Sequence, residues 1–205
     1  EKELKSTPSR SELSTLLDLT ETLQAGLGGV VVITGDARIG KSQLVRAWQK
    51  KMADLHGSKP LRWVIVKPGI VSDESQFAYH GLIRQSFFES GFPLTTEETD
   101  PQGDDPISLA AEIQAITGSM PLILVLEDIQ TLGRSSIPTI ESLVSLTYLA
   151  PFMLVLVSRY ERTSPGWQVI KKVSDHSDPH VVHINLDAMN RQQTSRLIME
   201  YLDCI

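Results

Sequence analysis

A glycine-rich segment between an apolar run and an amphipathic stretch constrains the fold of this chain more than any other feature. Residues 35–42 read Gly-Asp-Ala-Arg-Ile-Gly-Lys-Ser and match the pattern G-x-x-x-x-G-K-[ST] at every fixed position. A β-branched run precedes them at 30–34, and residues 41–55 carry apolar side chains at helical spacing. Glycines let successive backbone N–H groups face an anion, and a helix start adds its positive end to the same place. The segment therefore predicts a phosphate-binding loop between a strand and a helix.

The side chains of this loop suit a nucleotide with Mg²⁺. Lys41 can reach the β- and γ-phosphates as a point charge, and the Ser42 hydroxyl can ligate Mg²⁺. The alternative is an ordinary glycine-rich turn, which would match the pattern by chance on the order of one time in a hundred in a chain of this length. The flanking strand and helix disfavour that alternative. The predicted nucleotide-binding residues are Gly35, Asp36, Ala37, Arg38, Ile39, Gly40, Lys41, Ser42 and Gln43.

Short apolar runs alternate with amphipathic segments along the rest of the chain. The runs predict five strands, at 30–34, 61–67, 122–126, 152–157 and 180–184. The amphipathic segments predict helices from Ser11 onward and at 41–55, 76–89, 106–117, 138–148 and 191–202. Strands that alternate with helices pair in parallel, and continuously apolar strands have both faces covered. The sequence therefore predicts a three-layer α/β/α P-loop fold with a mainly parallel five-stranded sheet.

Two carboxylates follow the third predicted strand. Residues 122–126 are Leu-Ile-Leu-Val-Leu, and Glu127 and Asp128 come next. Parallel strands bring their C-terminal ends to one edge of the sheet, where ligands bind. We expect Glu127 to face Mg²⁺ and Asp128 to orient the attacking water, although the exchange of these two roles is left open. The alternative is a pair of acids that merely begins a loop after a strand.

Arg159 follows the fourth predicted strand, after Ser158. A cation at that strand end can contact a γ-phosphate and stabilise the charge of the transition state. A solvent-facing arginine in a weak salt bridge is the simpler reading of the residue type alone, and Arg38, Arg134 and Arg162 compete for the role. The predicted catalytic residues are Lys41, Glu127, Asp128 and Arg159, and the predicted Mg²⁺ ligands are Ser42, Glu127 and Asp128.

Composition removes several other classes of protein. The chain has 19 Lys and Arg against 25 Asp and Glu, a formal charge of −6 that disfavours direct nucleic-acid binding. Residues 91–108 hold five acids, three prolines and no Lys or Arg, which predicts an exposed acidic loop; the other residues sum to −1. The apolar runs are far shorter than the roughly 20 residues of a membrane span. The single cysteine, Cys204, excludes an intrachain disulfide and favours a cytoplasmic location.

The chain resembles the STAND-type P-loop ATPases, a signalling branch near AAA+. It is most similar to the ATPase modules of bacterial LuxR-type regulators and of proteins with class III adenylyl cyclase domains. Residues 35–46, GDARIGKSQLVR, are close to the family's GEAGIGKSRLVR, and residues 124–130, LVLEDIQ, resemble its LVLEDLHW. Residues 158–159 are similar to the Thr-Thr-Arg sensor of the related NB-ARC domains, and residues 10–13 resemble the family's N-terminal Gly-Arg-x-x-Glu-Leu motif.

The resemblance implies a strand order of 5-1-4-3-2 and an ATP-dependent conformational switch. By that analogy the cofactors are ATP or ADP with Mg²⁺, hydrolysis is slow, and Arg159 senses the γ-phosphate. Residues 1–28 would form an N-terminal helix that leads into a nucleotide-binding core at 29–205, with a helical lid and winged helix expected beyond residue 205. Partners would be other domains of the same longer chain and further copies in a nucleotide-dependent assembly. The rivals are a non-hydrolysing nucleotide-binding scaffold, a DNA-associated AAA+ ATPase and a small-molecule kinase.

Overall fold

The computed structural model describes residues 10–55, 60–67, 76–94, 106–118, 120–174 and 178–187. The strands are β1 (Gly29–Gly35), β2 (Arg62–Val66), β3 (Leu122–Leu126), β4 (Phe152–Ser158) and β5 (Val181–Leu186). The helices are α1 (Arg10–Gln24), α2 (Lys41–Asp54), α3 (Gln76–Glu89), α4 (Pro106–Thr117), α5 (Ile137–Leu146) and α6 (Pro165–Ser174). Two 3₁₀ turns, Ile129–Thr131 and Arg134–Ser136, lie between β3 and α5.

The five strands form one parallel sheet in the order β2-β3-β4-β1-β5. This order is 5-1-4-3-2 seen from the other edge, so the predicted strand order is confirmed. β1 lies between β4 and β5, and every residue of β3 and β4 is buried. That continuous burial is the physical counterpart of strands whose sequences are apolar throughout.

Alternating side chains of the sheet pack into two cores, one on each face. On β1, Val30 and Val32 join the core formed with α3, α4, α5 and α6. Val31 and Ile33 join the core formed with α1 and α2. The period-two alternation of a strand thus separates neighbouring valines onto opposite faces. The predicted three-layer α/β/α fold is confirmed.

Trp48 fixes the packing of α1 and α2 on this second face. Its side chain is fully buried, and its indole Nε1 donates to Thr20 Oγ1 of α1 at 2.9 Å. Thr20 in turn donates to the carbonyl of Leu16 at 2.8 Å, so the polar atoms of this dry contact are paired. The Trp48 ring also meets Trp63 of β2 edge to face, with 4.7 Å between centroids.

One helix of the structure was not predicted. No helix was expected at 165–174, yet α6 forms there, with Ser164 Oγ accepting the N–H of Trp167 at 3.2 Å as an N-terminal cap. The predicted helix at 106–117 is α4, and of the described residues of the predicted acidic loop 91–108, Gly91, Pro93 and Ile107 are exposed whereas Leu94 is buried. Residues 95–105, the predicted helix 191–202 and residues 1–9 lie outside the described residues.

Candidate functional site

The predicted phosphate-binding loop connects β1 to α2 at the C-terminal edge of the sheet. Gly40 has φ 110° and immediately precedes α2, and Gly35 ends β1 with φ 155°. A Cβ on Gly35 would lie 2.6 Å from the carbonyl oxygen of Leu186 in the neighbouring β5. Residues 36–38 are exposed, whereas Ser42 and Gln43 are half-buried in the first turn of α2. The loop thus lies between a strand and a helix, as the sequence pattern predicts, with glycine backbone conformations at both of its ends.

Lys41 is buried at the base of this loop. Its Nζ donates to the carbonyl oxygens of Gly35 at 2.8 Å and Asp36 at 2.7 Å. Burial lowers the pKa of Lys41, and the positive charge of Arg159 lowers it further, while the charges of Asp128 and Asp36 act in the opposite direction. The charges of Asp128, after β3, and Arg159, after β4, therefore both act on the Lys41 ammonium.

Glu127 and Asp128 point to different neighbours. Glu127 is buried, its backbone N–H donates to Val66 of β2 at 2.9 Å, and its Oε2 lies 3.8 Å from Lys67 Nζ. Asp128 is half-exposed and has φ 51°, a left-handed conformation that turns the chain into the 3₁₀ turn Ile129–Thr131. The two adjacent carboxylates are thereby directed toward opposite sides of β3.

Arg159, after β4, forms an ion pair with Asp128, after the adjacent strand β3. Arg159 Nε lies 3.9 Å from Asp128 Oδ1, and the two side chains are 48% and 47% exposed. Arg38, Arg134 and Arg162 are all exposed. Of the four arginines that the sequence offers, Arg159 is the one whose charge lowers the pKa of Lys41. The site thus brings two cations and one carboxylate to the end of the phosphate-binding loop.

Gln130 belongs to the site although the sequence did not single it out. Its side chain is 4% exposed and lies between Asp128 and the β4 end. A glutamine two residues after an acid pair has no distinctive pattern, and its burial depends on how β3, β4 and α6 come together. The only signal in the sequence was its place beside the predicted acids.

The donors in the site suit Mg²⁺ bound together with a nucleotide. Within the described residues, no group of three or more His, Cys, Asp or Glu side chains is arranged to hold a metal. Ser42, Glu127 and Asp128 supply a hydroxyl and carboxylates, the hard oxygen donors that Mg²⁺ prefers. Because Mg²⁺ commonly binds through one or two carboxylates plus substrate phosphates, these residues fit an ion that the nucleotide helps to hold.

Comparisons with solved structures show the α/β fold of P-loop NTPases. No family model and no curated protein sequence matches the chain. The Orc1 protein of Aeropyrum pernix in complex with DNA has a similar structure, with a TM-score of 0.65 at 14% identity over 97% of this chain and 50% of that one. DnaA of Aquifex aeolicus bound to AMPPCP gives 0.54 at 14% identity, covering 96% of this chain and 51% of DnaA.

A STAND protein with a tetratricopeptide repeat sensor from Pyrococcus horikoshii is also similar. Its TM-score is 0.54 at 17% identity, over 98% of this chain and 26% of the STAND protein. The chain thus spans about half the length of the Orc1 and DnaA proteins and a quarter of the STAND protein. These likenesses show the fold, an α/β domain of the P-loop NTPase type. Among the described residues, no helix combines the length and apolar character that a membrane crossing requires.

Proposed function

We propose that this domain binds Mg·ATP, hydrolyses it slowly and acts as a conformational switch in a larger regulatory protein. The observation that carries the proposal is the convergence of Lys41, Arg159 and Asp128 beside the glycine-containing loop. Burial is the largest cause of the lowered pKa of Lys41, and the charge of Arg159 lowers it further against the opposing charges of Asp128 and Asp36. A polyphosphate would pair with both cations. A site with this charge pattern suits the γ-phosphate of a nucleoside triphosphate.

The roles of the residues follow from their places. Backbone N–H groups of residues 36–41 and the start of α2 would bind the phosphates, and Lys41 would exchange its two loop carbonyls for phosphate oxygens. Ser42 with Glu127 or Asp128 would hold Mg²⁺, which supplies charge neutralisation at the phosphates when it is bound. The carboxylate that does not ligate Mg²⁺ would orient water, and Arg159 would stabilise charge on the γ-phosphate.

Switching would arise from the contacts that depend on the γ-phosphate. Asp128 and Arg159 are both half-exposed and are joined by a single long ion pair, so a phosphate can draw Arg159 away at little cost. Loss of the γ-phosphate would release this residue and the segments attached to it, as in other order–disorder switches. The resemblance to LuxR-type and cyclase-associated ATPase modules supports a cytoplasmic signalling protein, with other domains of the same chain as partners and nucleotide-dependent self-association.

Phosphate release and nucleotide affinity test this proposal. Lys41→Ala should lower the affinity for ATP and ADP at least tenfold, because a buried charge-assisted contact is worth about 1.5–3 kcal/mol. Asp128→Asn should still bind ATP but release phosphate at least tenfold more slowly. Lys50→Ala, at an exposed lysine of the same helix as Lys41, is the matched control and should behave as wild type. Phosphate release by wild-type protein no faster than by Lys41→Ala would refute the hydrolysis.

A non-hydrolysing nucleotide-binding scaffold is the second candidate. It is favoured by one observation, since both acids face a cation of the protein: Glu127 faces Lys67 and Asp128 faces Arg159. Such a domain would bind ATP with wild-type dependence on Lys41, and Asp128→Asn would change nothing measurable. Orc1 was solved in complex with DNA, but the net charge of −6 supports a fragment without direct DNA contact. Binding of a DNA duplex at low salt would overturn that last point.

A further inference from the structure

The buried amide of Gln130 joins the ends of β3 and β4. Its Nε2 donates to Asp128 Oδ1 at 2.9 Å. Its Oε1 accepts the backbone N–H of Arg159 at 3.1 Å and the Ser158 hydroxyl at 3.3 Å. The chemistry fixes this orientation of the amide, because a carboxylate only accepts and a backbone N–H only donates. One side chain thus contacts both predicted catalytic residues of the two strand ends.

The backbone of Gln130 is confined by the turn that carries it and by α6. The Asp128 carbonyl oxygen accepts two hydrogen bonds from Thr131, one from its backbone N–H at 3.0 Å and one from its hydroxyl at 2.8 Å. These bonds close the 3₁₀ turn that carries Gln130. Helix α6 rests on that turn so closely that a Cβ on Gly166 would lie 1.9 Å from the Ile129 carbonyl oxygen. With its backbone confined by the turn and the helix, Gln130 has little freedom to move.

The direct contact between Asp128 and Arg159 is too weak to fix the position of one side chain relative to the other. Arg159 and Asp128 are separated by 3.9 Å and are both half-exposed, and ion pairs of that kind contribute about 0–1 kcal/mol. A hydrogen bond to a charged group, such as the part-buried one from Gln130 to Asp128, is stronger and more directional. Asp128 uses Oδ1 for both Gln130 and Arg159, which directs the carboxylate so that Oδ2 can meet water or Mg²⁺.

We propose that Gln130 is a positioning residue that couples Asp128 to the γ-phosphate sensor Arg159. This inference rests on the proposed ATP-binding function and deepens it by naming the residue that makes the site distinguish ATP from ADP. ADP is held by the loop and Lys41, which Gln130 does not contact. ATP adds contacts to Arg159 and Asp128, whose relative placement depends on the Gln130 amide. Loss of the amide should therefore weaken ATP binding and leave ADP binding nearly unchanged.

Two substitutions separate positioning from a purely structural role. Gln130→Glu keeps the size and the acceptor for Arg159, but it cannot donate to Asp128 and places a second negative charge beside it. Gln130→Met keeps the length and removes every hydrogen bond. Gln114→Met is the matched control, since it makes the same substitution at an exposed glutamine of α4.

The experiment compares the dissociation constants of ADP and of a non-hydrolysable ATP analogue, together with phosphate release and thermal unfolding of each variant without nucleotide. We expect both Gln130 variants to lose roughly tenfold of the preference for the ATP analogue over ADP, with ADP affinity within about twofold of wild type. Gln114→Met should keep the wild-type ratio. Phosphate release should fall in the Gln130 variants by at least the same factor.

The outcomes distinguish this inference from the function on which it rests. An unchanged ratio in both Gln130 variants overturns the positioning role alone, as does an equal loss of affinity for the two nucleotides. Wild-type protein that binds ATP without releasing phosphate refutes hydrolysis, while the affinity ratio still tests Gln130. Wild-type protein that binds neither nucleotide overturns the proposed function and this inference together.

Discussion

Gly166 lies where α6 rests on the 3₁₀ turn, and replacing it by alanine is a strong test of that contact. A Cβ on Gly166 would lie 1.9 Å from the Ile129 carbonyl oxygen, 2.7 Å from its carbon and 3.3 Å from the Gln130 nitrogen. All three are main-chain atoms, so no side-chain rotation can relieve the overlap. Gly81 in α3 is the matched control, because a Cβ there would meet nothing within 4 Å.

Helix propensity and steric overlap act in opposite directions at these two glycines. Alanine in place of a helical glycine gains up to about 1 kcal/mol, which at Gly81 is unopposed. At Gly166 the closest contact must lengthen by more than about 1 Å to reach an ordinary van der Waals separation. Overpacking of this kind costs about 1–3 kcal/mol, and a main-chain obstacle favours the upper end. We therefore expect the two variants to differ by about 2–3 kcal/mol in the free energy of unfolding.

Urea unfolding followed by circular dichroism measures this difference directly. In a domain of this size it corresponds to roughly 4–12 °C between the melting temperatures of the two variants. Because the same turn carries Gln130 and Asp128, Gly166→Ala should also reduce the preference for the ATP analogue over ADP, whereas Gly81→Ala should preserve it. If Gly166→Ala proves as stable as Gly81→Ala, the close packing of α6 on the turn is refuted.

Two further measurements test the charges of the structure. The pKa of Lys41 is lowered in the free protein, so binding of phosphate should raise this pKa and take up protons at alkaline pH. The affinity for nucleotide should therefore fall as the pH rises above the lowered pKa. Calorimetry in buffers of different ionisation enthalpy measures the proton uptake, and no uptake would show that Lys41 does not contact the phosphates. Arg84 and Glu112 form a bidentate, four-fifths-buried pair at 2.6 and 2.7 Å, so a double-mutant cycle should give about 1–2 kcal/mol. The exposed pair Lys172–Glu141 should give below about 0.5 kcal/mol, and equal couplings would contradict the importance of burial.

The parallel sheet was predictable because its strands carry their own signal. Residues 122–126 and 152–157 are apolar without interruption, and such runs between amphipathic helices occur in sheets that are covered on both faces. Strand order is different, since nothing in the periodicity of β1 determines whether β4 or β3 lies beside it. That order came from the resemblance to STAND-type ATPases, and the structure has it.

Features that depend on tertiary contacts were harder to predict from the sequence. Helix α6 begins with Pro165 and Gly166, and the glycine lowered its apparent helical character. The cap at Ser164 and the proline at the first helical position were signals that could have located it. At the site, strand ends predicted Asp128 and Arg159 near Lys41, but the burial of Gln130 arises only when α6 covers the turn beside them.

The aromatic contacts give this protein two optical labels that report on different regions. Trp48 and Trp63 meet edge to face inside the core, at 4.7 Å between centroids, so their coupled near-ultraviolet signal should follow global unfolding and ignore ligands. Trp167 lies next to Gly166, and its ring meets Tyr160, the neighbour of Arg159, at 5.9 Å. Its fluorescence should therefore respond when Arg159 changes partner. If the γ-phosphate draws Arg159 away as proposed, Trp167 would report its binding without an attached dye, and the Trp48–Trp63 pair would serve as an internal reference for folding.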